Sequence, residues 1–102
     1  MNTKTTATDA YLARAAAIHN KLTRLRQLAD NQRAALDRLT EGLRTAPRSA
    51  VGCFDLLYRR HIGKAEFGLA LAEAVGHINH LRATGRVWAA GTTAEGAALW
   101  GA

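Results

Sequence analysis

KAEFGLALAEAVGHINHLRATGRV, residues 64–87, contains no proline and carries a helical apolar pattern up to Gly85. At 100° per residue, Leu71, Ala74, Val75, Ile78 and Leu81 fall on one side, which marks that side for the core. Glu73, Gly76, His80 and Ala83 occupy the opposite face, with His77 and Asn79 on its flanks. The expected division is a short helix from Lys64 to Leu71 and a further helix from Ala72 to Thr84, closed by Gly85.

Downstream of this segment, Arg86–Ala90 and Ala97–Gly101 are predicted as short strands joined by a glycine-bounded loop, residues 91–96. Upstream, Ser49 is a plausible N-cap for a helix with Val51, Phe54, Leu57, Tyr58 and Ile62 on its buried side. Gly63 is expected to end that helix in a left-handed cap. Further back, Tyr11 to Arg44 has no proline and a single glycine, Gly42, and is built from Ala, Leu, Arg, Gln and Asp. It predicts one long helix, capped by Thr8 or Asp9 and ending near Ala46, because Pro47 disfavours helical geometry in the residue before it. Residues 1–7 are polar and Thr-rich and are expected to form a flexible tail.

The long helix has the apolar period of a coiled coil. Tyr11, Ala15, Ile18, Leu22, Leu25, Ala29, Gln32, Leu36, Leu39 and Leu43 alternate steps of four and three, and only Gln32 is polar. Ile18, Leu22, Leu25, Leu36, Leu39 and Leu43 are therefore the expected homodimer interface. The alternative is an amphipathic helix packed on its own domain. Arg14 and Lys21 flank the seam on one side, and His19, Arg26 and Arg33 on the other. A parallel, in-register pair would set Lys21 against Arg26 and Arg14 against His19, which repels. An antiparallel pair centred near Leu28 brings fewer like charges together.

The order helix, short helix, helix, glycine, hairpin resembles the winged helix-turn-helix domains of bacterial transcription regulators. The likeness rests on Leu81, the three residues Arg82, Ala83 and Thr84, then Gly85 and Val87, followed by a hairpin in the place of the wing. It covers roughly residues 49–102. The fold it implies is mainly α: a tail and dimerisation helix over 1–48, then a winged helix-turn-helix module with a short C-terminal β-hairpin over 49–102. The function it implies is a homodimeric, DNA-binding transcriptional repressor or accessory regulator. Asn79 or His80 would then reach base edges, Gly76 would let the helix approach the groove closely with His77 on the flank of that face, and Arg48, Arg59, Arg60, Lys64, Arg82 and Arg86 would meet phosphates. Two alternatives stand beside it: a winged-helix adaptor that docks an acidic protein partner, and a sequence-neutral nucleoid or plasmid-maintenance binder.

Composition agrees with a basic, non-enzymatic domain. The chain has 102 residues, enough for one domain with a modest core. Its formal net charge of +6 favours polyanions, double-stranded DNA among them. Up to Thr45 there are eight Lys or Arg against four acids, and beyond it six against four. The single cysteine, Cys53, excludes an intrachain disulfide and fits a reducing, cytoplasmic compartment; on an Ala-rich helix it is expected to be buried and inert. No apolar run approaches the length of a bilayer span. His77 and His80 share a helical spacing that can hold a metal, but His61 and Cys53 are the only other soft ligands, so no metal site or cofactor is expected. Trp88 and Trp100 are assigned to packing of the hairpin on the core. No phosphate-cradling glycine loop or paired carboxylates are visible, which argues against an enzyme.

Overall fold

The computed structural model describes residues 3–102 and, within the first helix, the side chains from residue 7 onward. The chain divides into two compact units, Met1–Gln32 and Arg33–Ala102. In order it forms α1 (Thr3–Thr45), a 3-10 turn (Val51–Cys53), α2 (Phe54–Leu57), α3 (Lys64–Ala83), β1 (Trp88–Thr92) and β2 (Ala98–Gly101). The mainly helical expectation with a long first helix and a terminal hairpin holds. Helix α1 already starts at Thr3, so Thr8 and Asp9 lie inside it and cap nothing. Of the expected tail, Met1 and Asn2 lie outside the described residues. Pro47 follows two residues after the last helical position, as its geometry requires.

In the unit Arg33–Ala102 the core gathers around the end of α1. Leu39, Leu43, Cys53, Ile78, Leu81 and Val87 are buried together, with Leu36, Leu56, Leu57 and Trp100 packed against them. Leu39 and Leu43 are thus buried in the chain's own core and Leu36 is half-buried against it, where the sequence assigned all three to a homodimer interface. Each large side chain fully buried in this way stabilises the unit by about 1.5–3 kcal/mol. Gly42 lies on the same turn. A Cβ built there would run into the end of the Leu56 side chain, so the glycine lets Leu56 approach the helix closely.

The second helix is much shorter than the sequence suggests. Ser49 Oγ does accept a hydrogen bond from the Gly52 amide at 3.1 Å, which closes the first turn. The helix stops at Leu57, and Tyr58 turns to extended geometry, φ −119° and ψ 134°. Gly63 has φ −79°, not a left-handed value, and is the residue from which α3 starts. Val51, expected on the buried side, is exposed.

The largest correction falls on residues 64–83, which form one uninterrupted helix of 20 residues, where two helices and a turn were expected. Ala70, Ala74, Ile78 and Leu81 are all buried, so a single face stays on the core through the expected break at Leu71. With no proline and only Gly68 and Gly76 as weak helix formers, no local signal forces a turn. Val75, expected on the core side, is 40% exposed. The helix closes as expected: the Arg86 amide donates to Leu81 O at 2.9 Å and the Gly85 amide to Arg82 O at 3.0 Å, with Gly85 at φ +76°.

The hairpin is antiparallel, pairing Trp88 with Gly101, Ala89 with Trp100, Gly91 with Leu99 and Thr92 with Ala98. The register shifts between Ala89 and Gly91, a bulge that the positive φ of Gly91, +122°, accommodates. Arg48 adds one further rung on the other edge of β2, exchanging both backbone hydrogen bonds with Trp100 at 3.1 and 2.8 Å. That rung ties the segment after α1 to the hairpin.

Candidate functional site

Between the Arg48–Tyr58 segment and the start of α3 lies an open groove of about 810 Å³. Its walls come from Val51, Phe54, Tyr58, Ile62 and Phe67, and its charged rim from Arg48, Asp55, Arg59, Arg60 and His61. Phe54 packs edge-on against both Tyr58 and Phe67, at ring-centroid distances of 5.7 and 5.6 Å. The extended backbone at Tyr58 carries its hydroxyl across to α3, where it lies 3.1 Å from Ala70 O and 3.0 Å from Glu73 Oε2. Burial first, then donation to Glu73, holds this phenol neutral and raises its pKa from 10.0 to about 12.

The rim is partly spent. Arg48 donates to both carboxylate oxygens of Asp55, at 2.7 and 3.0 Å, and to Gly52 O. Arg60 pairs with Glu66. Arg59 and His61 remain exposed at the groove mouth. Cys53, between the lining residues Gly52 and Phe54, is buried in the core and free. Burial, only partly countered by Arg48, raises its pKa from 9.0 to about 11, so it stays a thiol rather than a nucleophile or metal ligand.

The residues assigned to DNA are spread along the whole length of α3 and over the segments on either side of it. Lys64 opens α3 and Arg82 stands at its far end, about 27 Å away at 1.5 Å per residue. Arg82 stacks over the Trp100 ring at 4.6 Å, and Arg86 reaches Asp37 at 3.3 Å. With Arg48 and Arg60, four of the six arginines and lysines assigned to phosphates are already engaged within the chain. Gly76, Asn79 and His80 are exposed on α3, whereas His77 is half-buried. A Cβ at Gly76 would meet nothing within 4 Å. The hairpin loop between the strands carries Glu95 as its sole charge. What the sequence left unread was the aromatic groove. Its signal lay in Phe54, Tyr58 and Phe67, but Tyr58 joins them only because α2 ends one residue earlier.

Residues 36–96 match the family described as "Metallo-beta-lactamase-like, C-terminal domain". This chain belongs to that family. It is also similar to the crystal structure of a beta-lactamase domain protein from Burkholderia ambifaria, with a TM-score of 0.69 and 26% sequence identity. That similarity covers 78% of this chain and 23% of the other, so the chain spans about a quarter of its structural relative's length. No curated protein matches it. The metallo-beta-lactamase-like assignment overturns the winged helix-turn-helix resemblance, and with it the DNA-binding repressor. It gives the adaptor no support either. The structural reason is visible in α3: a helix-turn-helix needs the turn, and this helix has none.

The family's name raises the question of a metal. Among the described residues no group of three or more His, Cys, Asp or Glu stands close enough together to hold one. His77 and His80 have no third partner, and Cys53 is held protonated. These residues do not fit a metal centre. Nor, among the described residues, is any helix long and apolar enough to cross a membrane.

Proposed function

We propose that this chain serves as the accessory C-terminal domain of a metallo-beta-lactamase-like protein, packing beside a metal-dependent catalytic domain without doing the chemistry itself. The observation that carries this reading is the family match, which falls on a C-terminal domain and covers residues 36–96. The described residues supply no metal-ligand cluster, which fits a division of labour in which the metal belongs to the catalytic domain. The groove beside Phe54 and Phe67, with Arg59 and His61 at its mouth, is the surface on this unit best suited to face such a domain. In this reading the chain is not an enzyme on its own, and its free, buried thiol suits a reducing, cytoplasmic compartment.

The test is a domain exchange. This chain should replace the matching quarter of the Burkholderia ambifaria protein, giving a folded chimera with the parent's metal content and a similar melting temperature. Deleting that quarter without replacement should lower both. The isolated chain, dialysed against zinc, should retain none and hydrolyse neither β-lactam nor ester substrates. Stoichiometric zinc with hydrolysis by the chain alone would overturn the proposal.

A further inference from the structure

The structural likeness reaches further along α1 than the family match, which begins at residue 36. Covering 78% of the 102 residues, it takes in about 80 of them, more than lie between Leu36 and Ala102. Wherever such a stretch begins, it includes Leu25 and Leu28. Both leucines belong to the unit Met1–Gln32 and are 53% and 63% exposed. Tyr11, Ile18 and Leu22 continue the apolar stripe toward the start of the helix and are equally open to water. An unbroken row of large apolar side chains on a helix surface marks a place where another body packs.

We infer that this stripe docks a metallo-beta-lactamase-like catalytic domain, on an apolar surface bordered by carboxylates. Such docking rests on the accessory role proposed above, and adds to it the contact face on α1 and the chemistry of the surface opposite.

Two observations select this occupant. The beta-lactamase domain protein that shares this end of the helix carries it in a much longer chain, of which the matched part is 23%. A second domain on one chain stands at roughly millimolar effective concentration, so even a narrow apolar face stays covered by it. Charge supplies the other observation. Between Tyr11 and Gln32 the helix bears Arg14, Lys21, Arg24 and Arg26, and Asp30 is its single acid. Arg14 and Lys21 run along one edge of the stripe, and His19 and Arg26 along the other. A second copy of this stretch brings four more cations and one acid to those edges. A surface edged with Asp and Glu complements both edges at once.

Thiol labelling of the full chain and of the domain-exchange chimera tests this. In the isolated chain, Leu25→Cys should react with a maleimide at the rate of an exposed thiol, while buried Cys53 stays unlabelled. In the chimera the same position, followed by peptide mass spectrometry, should react at least about tenfold more slowly. Leu69→Cys on α3, where the leucine is 69% exposed, should react equally in both. Adding Lys21→Glu and Arg26→Glu to the chimera should bring position 25 most of the way back to its free rate, with the metal content kept.

Equal labelling of position 25 in chain and chimera, with metal content and melting temperature kept, overturns the docking and leaves the accessory role standing. Slow labelling already in the isolated chain, together with twice the chain mass, gives the stripe to a second copy and overturns the docking as well. Protection that survives the charge reversal overturns the carboxylate border. A chimera that loses its metal and melts early overturns the accessory role, and the docking with it.

Discussion

Helix α1 carries one apolar seam with two fates. From Tyr11 to Leu28 its large side chains are mostly exposed, while ten to fifteen residues later Leu39 and Leu43 are 0% and 2% exposed. Composition and spacing barely differ between the two stretches. What differs is the neighbourhood: in Arg33–Ala102, residues from α2, α3 and the hairpin converge on the helix. A heptad pattern therefore specifies which face of a helix seeks cover, and distant parts of the chain decide what covers it.

Substitutions along the seam should break this comparison if it is wrong. The largest effect is expected at the buried end, where Leu39→Ala should destabilise the unit Arg33–Ala102 by about 2–5 kcal/mol in urea unfolding followed by tryptophan fluorescence. Leu25→Ala should move the same transition by less than about 0.5 kcal/mol when the chain is dilute. Equal losses at the two sites would mean that the exposed stretch is part of one cooperative core.

Glycines offer a second contrast of intermediate size. Gly42→Ala would press a methyl group onto the ends of Leu56 and should cost about 1–3 kcal/mol unless Leu56 turns aside. Gly76→Ala meets nothing within 4 Å and should stabilise α3 by about 0.4–1 kcal/mol. Thermal melts of the two variants should shift in opposite directions.

Alkaline pH sharpens the picture of the folded unit. Cys53 and Tyr58 hold their protons more tightly when folded, with pKa values near 11 and 12 against ordinary values of 9.0 and 10.0. The stability they contribute is complete below pH 9 and is lost as pH rises from about 9 to 12, because the unfolded chain releases these protons first. Urea midpoints should fall across that window, and Cys53→Ala should remove the lower part of the fall. At pH 8 the native thiol should react with a disulfide reagent only as fast as the protein unfolds.

Another small effect belongs to the exposed Arg86–Asp37 pair, whose side chains are 44% and 62% exposed. Asp37→Asn should cost less than about 1 kcal/mol, and the loss should shrink in high salt. A larger, salt-insensitive loss would show that the pair holds the end of α3 to α1 more firmly than its exposure allows.

Much of this architecture was legible in the residues themselves. The long first helix and its end before Pro47, the Gly85 closure and the hairpin all follow from backbone chemistry acting within a few residues. Even the buried face of α3 was largely correct, at Ala74, Ile78 and Leu81. The groove was not legible, because it requires α2 to stop at Leu57 so that the Tyr58 hydroxyl can reach Ala70 and Glu73 on another helix. Nor were the roles of the arginines: Arg48, Arg60, Arg82 and Arg86 read as free cations until Asp55, Glu66, Trp100 and Asp37 were placed beside them.

The sequence by itself determined where the first and last helices end and which of their faces are apolar, since these depend on dihedral preference and local periodicity. Tertiary structure alone decided that residues 64–83 form one helix rather than two, and that the seam of α1 is buried at one end and exposed at the other. A helix continues across a weak position when its next turn has a core to rest on, and whether that core is there depends on residues far away in the chain.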